Sequence, residues 1–381
     1  MLADYFFPLA WWLYVAATLL QLAYAGGVLA RFPKKNGSEQ GVPPEKWPPL
    51  SLIVCARNEA HNLRQCLPGM LAQDYPGDWE LLLVDDASSD DSPHVLAGFS
   101  AQNAQLRVLR LAEKTAPGKK NALEMGIGQA RHPLLVLSDA DCRPSSPQWL
   151  RHMAAAACGG RVANGPRLVL GFGPMRKRQP ETAWNRWLRF EAAQVAAQYL
   201  AFAQAGMPYM GVGRNLALPK RLFEQSGGFA AHRHIISGDD DLLVNHAASA
   251  RHLALCLHPD AFVFSDGKPT WQGWLRQKRR HLSAGWAYRW PHQVLLASLS
   301  LSQVLHYFCL LLLLLGAFRP LAALLLYLLR LLILWRCYGR IFRQLGEPDL
   351  LPYFPLLDLC QTLYQGSVLP WLLFQRHQRS W

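Results

Sequence analysis

The chain has 381 residues, enough for one large domain with additions or for two domains. Hydrophobic residues make up 51% and charged residues only 17%, and the formal net charge of +13 suits nucleic acid, an anionic membrane face or phosphorylated substrates. The eight cysteines are scattered without a C-x-x-C pair, which argues against a zinc cluster or a disulfide framework and for small core residues in a reducing compartment.

The first apolar run, residues 8–30, has the length of a bilayer-spanning helix. No basic residue precedes it, and it is long for the apolar part of a signal peptide. The "RFPKK" that follows assigns its C-terminal side to the cytoplasm. Residues 1–31 are therefore expected to be a retained anchor. Residues 32–49, with "PPEKWPP", read as a proline-rich linker.

From about residue 50 to 285 apolar runs alternate with helical patterns, the signature of an α/β domain. Residues 50–56, 80–88, 106–111 and 133–141 read as strands, and 59–72 and 118–130 as helices. Three of the strand ends carry polar clusters: "RNE" (57–59), "DDASSD" (85–90) and "DAD" (139–141). If the strands are parallel, these clusters converge on the carboxyl edge of the sheet, where open α/β sheets bind ligands. Asp139 and Asp141 repel each other unless a cation lies between them and their ligand. Hard oxygen donors beside a phosphate favour Mg²⁺ or Mn²⁺. A plain capping role for this Asp pair is the competing reading. The acidic run 239–241 reads in the same two ways, as a proton acceptor with a raised pKa or as a helix start matched to its dipole. "GVGRNLALPKRLFEQSGGF" (211–229), Gly-rich at both ends, fits either a backbone close to a ligand, with Arg214 and Asn215 toward substrate, or two ordinary turns around a short helix.

Residues 271–290 interleave four tryptophans with basic residues. They read as an amphipathic helix in the membrane interface, assigned here to 271–292. Nucleic-acid binding is disfavoured because an apolar span follows within a few residues. Two further spans are expected at 294–318 and 320–335, with a tight turn at Arg319 and Pro320, inside a C-terminal membrane region of 293–381. Arg336, Arg340 and Arg343 return the chain to the cytoplasm. The stretch 350–374 contains Asp358, Gln361 and Gln365. It fits a crossing, which would put "QRHQR" (375–379) outside, or a re-entrant segment, so the number of C-terminal spans stays open.

The pieces "SLIVCARNEAHNL", "LLLVDDASSDDS", "GKKNAL", "LSDADC", "SGDDDLL" and "QKRRH" occur in an order that resembles family 2 glycosyltransferases in their membrane-anchored form. The resemblance implies a GT-A (Rossmann-like) α/β nucleotide-sugar domain over 50–270, flanked by N-terminal and C-terminal transmembrane helices. It implies inverting sugar transfer from a nucleotide-sugar with Mg²⁺ or Mn²⁺. Glu59 and Asp86, with Asp85 beside them, would contact the nucleoside. Lys119 or Lys120 would lie near the donor phosphates. Asp139 and Asp141 would clamp metal and diphosphate, Asp141 as the direct ligand. Asp239 would be the base, with Asp240 the alternative in register. Gln277 and Arg280 match a Q-x-x-R-W motif near the diphosphate and acceptor. His281 stands where that motif has Trp, and Gly238 where the family often has Glu.

These residues suit the chemistry: a cation for the leaving diphosphate and a separate carboxylate for the attacking hydroxyl. No phosphate-binding G-x-x-x-x-G-K-[ST] loop, G-x-S-x-G elbow or H-x-x-x-H pair is present. The leading expectation is a multi-pass inner-membrane enzyme with a cytoplasmic catalytic domain. It would use a UDP-sugar and a lipid or lipid-linked acceptor, without nucleic acid. The alternatives are a processive polysaccharide synthase, which the His281 departure and the few spans disfavour, and a non-catalytic nucleotide-binding scaffold.

Overall fold

The computed structural model describes residues 2–33, 46–114, 117–159, 166–249 and 252–370. The chain divides into two units. One runs from Pro33 to Ala287, and the other joins the residues up to Phe32 with those from Tyr288 onward.

Helix α1 (Leu2–Gly27) opens the chain. The larger unit then runs β1 (Leu50–Ala56), α2 (Ala60–Leu71), β2 (Trp79–Asp85), α3 (Ser92–Ser100), β3 (Leu106–Arg110), α4 (Lys120–Gln129) and β4 (Leu134–Asp139). It continues with β5 (Cys142–Pro144), α5 (Trp149–Cys158), β6 (Leu168–Gly171), α6 (Ala183–Gln204), β7 (Leu216–Pro219) and α7 (Lys220–Gln225). Helix α8 (Asp241–Ala247), β8 (Leu253–Cys256), β9 (Val263–Ser265) and α9 (Trp271–Gly285) complete it.

Seven strands form one sheet in the order β3-β2-β1-β4-β7-β6-β8, and β5 pairs with β9 apart from it. The first four strands of that order are mutually parallel, and β7 runs against its neighbours β4 and β6. Strand β1 is buried along nearly its whole length, which is why it reads as an unbroken apolar run rather than an alternation. Leu52 and Val54 pack with Leu63 and Leu67 of α2 and Met153 of α5. Ile53 points the other way, where Gly126 of α4 comes close to it and to Val84. Helices thus cover both faces.

The chain moves from β1 to β2 and β3 on one side, then returns to place β4 on the other side of β1. That reversal leaves a crevice beyond the carboxyl ends of β1 and β4. The register puts Ala56 opposite Asp85 and Cys55 opposite Asp139, so two of the polar clusters meet at one edge. Strand β2 ends at Asp85, earlier than the apolar pattern implies, because 86–91 turns into a loop held by side-chain bonds.

In the second unit, α1 packs with α10 (Trp290–Leu315) and α11 (Pro320–Gln344), and α12 (Phe354–Leu363) packs against α10. Among the described residues, three segments are long and apolar enough to cross a membrane: Tyr5–Arg31, Trp290–Leu315 and Pro320–Gln344. Arg319, at φ 49°, makes the tight turn before Pro320. Helix α12 has 10 residues, Tyr364–Val368 continues it as a π-turn, and the end of the 350–374 stretch, from 371 on, lies outside the described residues. Its Asp358 pairs with the buried Arg330 and accepts from Tyr307 Oη at 2.8 Å and Gln303 Nε2 at 3.0 Å. The Arg330 guanidinium also donates to Gln21 Oε1, at 2.8 Å from Nε. The one charge in this stretch, Asp358, is thus satisfied inside the bundle, whereas Gln361 Oε1 and Gln365 Oε1 are buried without a hydrogen bond among the described residues. Most of the linker 32–49 and the whole of "QRHQR" lie outside the described residues.

Candidate active site

The loops after β1 and β2 are stitched together. Asn58, at φ 55°, takes a hydrogen bond from Ser89 N at 2.8 Å, and its own amide donates to Ser88 Oγ at 2.9 Å. Glu59 N donates to Ser92 Oγ at 3.0 Å, and Asp90 Oδ2 accepts from Ala60 N at 3.1 Å. Asp90 is thus a structural member of the "DDASSD" cluster. Asp85 is buried, accepts from Ser88 N at 3.1 Å, and lies 3.5 Å from Arg110 Nε. Asp86 is buried and paired with Lys114, whose Nζ also donates to Gly118 O at 2.9 Å. Burial raises the Glu59 carboxyl above its usual range, Asn62 opposes this, and Asp141 adds to it. Glu59 therefore faces the metal-type acids as well as the expected nucleoside side.

The acids come together around Lys119. Its Nζ lies 2.6 Å from Asp139 Oδ1 and 2.9 Å from Asp239 Oδ2. Burial opposes the charge on Lys119, and Asp139, Asp239 and Asp240 overcome it, holding the ammonium well above its usual pKa. Burial would raise Asp139, yet Lys119, with Arg214 and Arg280 beyond it, keeps that carboxyl below the usual carboxylate range. Asp141 goes the other way: burial and the charge of Asp139 raise it. A small cavity is lined by Cys55, Lys119, Ser138, Gly213, Asp239 and Asp240.

The register within 239–241 is now physical. Asp240 accepts from Gly213 N at 2.6 Å and from Asp241 N at 2.8 Å, so backbone amides occupy its carboxylate at the start of α8. Asp239 instead faces Lys119. Gly238 has φ 86°, and a Cβ there would sit 2.4 Å from Leu242 Cδ1. The backbone thus accounts for glycine where the family often has Glu.

Helix α9 brings in the remaining cations. Trp274 is buried, and its Nε1 donates to Glu191 Oε2 of α6 at 2.9 Å, while Lys278 pairs with the same carboxylate. On the same helix, the charge of Arg280 helps to lower the Asp139 carboxyl. Gln277 shares the face of Arg280 by helical spacing. His281 is exposed, with Nε2 3.3 Å from Arg280 Nη2. The helix ends at Gly285, and Trp290 opens α10, so the expected single helix over 271–292 is two, divided before Pro291.

Lys114 and Lys268 join the site without a motif to announce them, and Arg214 joins it from the Gly-rich stretch 211–229. Arg214 donates through Nε to Gly173 O at 3.1 Å and acts on both Asp139 and Asp141. Asn215 is fully buried and ties Trp149 to Phe172 and Ala261, a packing role. A separate cluster of His152, His258 and Asp260 assembles from distant parts of the sequence. Its two rings stack at 3.8 Å, and His258 Nδ1 already accepts from Asp260 N at 3.2 Å. That lone pair closes a local turn.

The donor set of the main site fits a hard divalent ion. Asp139 and Asp141 offer carboxylate oxygens within 4.8 Å of each other, and the strain of their like charges is what a cation relieves. Cys142 lies in the same group, but burial raises its thiol well above the usual range and keeps it protonated.

Residues 136–337 match the profile described as Glycosyl transferase family group 2, and residues 51–211 match Glycosyl transferase family 2. The chain belongs to glycosyltransferase family 2. The chain is 30% identical over 197 residues to a beta-monoglucosyldiacylglycerol synthase of Trichormus variabilis, covering 51% of this chain and 39% of that one. It is 29% identical over 218 residues to the glycosyltransferase AglE of Haloferax volcanii, covering 55% of this chain and 65% of that one. The glycosyltransferase thus spans less than two thirds of the length of either relative. A mannosyltransferase of Pyrobaculum calidifontis, solved with GDP-Man and Mn²⁺, superposes with a TM-score of 0.58 at 19% identity, covering 95% of this chain and 99% of that one. The GT-A fold of this glycosyltransferase is therefore established.

Proposed function

We propose that this glycosyltransferase moves a sugar, with inversion, from a nucleotide-sugar to a lipid or lipid-linked acceptor at a membrane surface. A UDP-sugar is the donor we favour. The observation that carries the reading is the position of Lys119 between Asp139 and Asp239, which lie about a hundred residues apart in the sequence. Metal-type acids and a candidate base are thereby one side chain apart.

In this reading Asp86 and Glu59, with Asp85 behind them, orient the nucleoside, and Asp139 and Asp141 hold Mg²⁺ or Mn²⁺. When bound, that ion supplies Lewis-acid stabilisation of the leaving diphosphate. Lys119, Arg214 and Arg280 share the same charge as fixed cations. Asp239 accepts the proton of the attacking hydroxyl. Three helices of spanning length and the glycolipid synthase named among the relatives support a membrane acceptor. A multi-pass inner-membrane enzyme with its catalytic unit in the cytoplasm accords with Arg336, Arg340 and Arg343 toward the end of α11.

The test is transfer of label from a panel of UDP- and GDP-sugars into a total lipid extract, with Mn²⁺ and with EDTA. The proposal expects lipid-soluble label from at least one donor, abolished by EDTA and by Asp139→Asn. Long glycan ladders would favour a processive synthase. Folded protein indifferent to every donor and to the metal would leave a scaffold.

A further inference from the structure

Lys119 and Lys120 were interchangeable in the sequence, but they do different work in the fold. The Lys120 side chain is buried. Its Nζ donates to His232 O, Ile235 O and Ser237 O, each at 2.7 Å. An ammonium has three N–H donors, and all three are taken by main-chain carbonyls of one loop. That loop ends immediately before Gly238 and Asp239. The contact is reinforced next door, where Gly118 has φ 84° and a Cβ on it would lie 2.5 Å from Ile236 O. The two loops therefore touch backbone to backbone. Lys114 Nζ holds the other side of this junction through Gly118 O.

We propose that Lys120 is a positioning residue: its ammonium clamps the 232–237 loop to the start of α4 and so fixes the Asp239 carboxylate where Lys119 and the acceptor hydroxyl meet it. This rests on the reading of Asp239 as the base. A buried ammonium tolerates no loss of its partners, so the loop cannot drift without breaking three charge-assisted bonds together. Burial lowers Lys120 to about 8, against the pull of Asp239, Asp241 and Asp240, so it keeps its three donors at neutral pH. The two adjacent lysines thus divide the labour. Lys119 reaches the acids, and Lys120 holds the loop that carries them.

The test uses the full-length protein in nanodiscs. Lys120→Met keeps the stem and removes the donors, and Lys120→Gln keeps two N–H groups. Hydrogen exchange is read on peptides covering 232–240, binding is read with UDP and Mn²⁺, and turnover is read with the donor panel and lipid extract. The expected result for Lys120→Met is exchange about tenfold faster in 232–240, with the sheet unchanged. Turnover should fall on the order of 10²-fold, with donor KM and UDP affinity held within about twofold. Lys120→Gln should lie between, and it carries the comparison if the Met variant does not fold. Unaltered exchange in 232–240 overturns the clamp. So does a turnover loss matched by an equal loss of UDP affinity, which would make Lys120 a donor contact. If the wild type moves no sugar from any donor, the functional reading fails, and the exchange measurement decides the clamp by itself.

Discussion

Lys119 and Asp239 form a 2.9 Å ion pair between the start of α4 and the loop before α8. The same ammonium reaches Asp139 at 2.6 Å, so one cation binds acids from two motifs. Lys119→Met would leave those carboxylates to repel each other. The expected effect is a loss of turnover on the order of 10²–10³-fold, with weaker UDP binding in the presence of Mn²⁺. Steady-state kinetics with titration calorimetry would check it, and wild-type behaviour in both would remove Lys119 from the site.

Asp239 and Asp240 should separate under mutation. Asp239→Asn should spare UDP binding and lose transfer, because the carboxylate faces the cavity and Lys119. Asp240→Ala strips two backbone amides of their acceptor. It should cost about 1–2 kcal/mol of stability, read as a lower unfolding midpoint. The reverse pattern would move the base to Asp240.

The polar core of the membrane unit supplies a third expectation. Arg330 and Asp358 are both buried, and removing one partner strands the other. Arg330→Met or Asp358→Leu alone should destabilise the detergent-solubilised protein by about 3–5 kcal/mol. The double replacement should recover part of that loss. Thermal unfolding of the four proteins gives the coupling directly, and additive single effects would show that the pair is not a unit.

A pH dependence follows from His232. Its ring is buried against Phe229 and His246, and neither ring nitrogen has a partner. Burial, with help from Lys120, His246 and His234 and against Asp239, lowers it to about 4. The unfolded chain takes up a proton near pH 6.5 and the folded chain does not. Stability is therefore full above about 6.5 and is lost as pH falls toward 4, by on the order of 2 kcal/mol for this group. His232→Phe should flatten that part of the stability curve measured by denaturant titration.

Much of the fold was legible because the strands are buried on both faces. "LSLIVCA" and "LLLV" carry no alternation to misread, and the polar residues that end them mark the sheet edge. The acid pairs 85–86 and 139–141 were legible for the same reason, since each closes a strand, whereas the 239–241 run opens α8 with no strand before it. What the sequence withheld is side-chain direction. Two adjacent lysines look alike as letters, yet one reaches acids and the other carbonyls. Asp239 and Asp240 differ only in which amides the α8 start presents. Lys114 and Lys268 come from loops without a repeating pattern, so no spacing could point to them, and of Arg214 and Asn215, which the Gly-rich stretch offered together, only Arg214 acts on the site acids. The break at Pro291 was visible as a residue, but the Trp and Arg pattern running through it hid the end of α9.

The central claim is that Asp139 and Asp141 hold a divalent ion beside Lys119 and Asp239. Anomalous diffraction from crystals grown with Mn²⁺ and UDP tests it most directly. The account predicts one strong peak within coordinating distance of Asp139 or Asp141, shared with diphosphate oxygens and lost in Asp141→Asn. A diphosphate bound at Asp86 and Arg280 with no manganese peak at these carboxylates would contradict it.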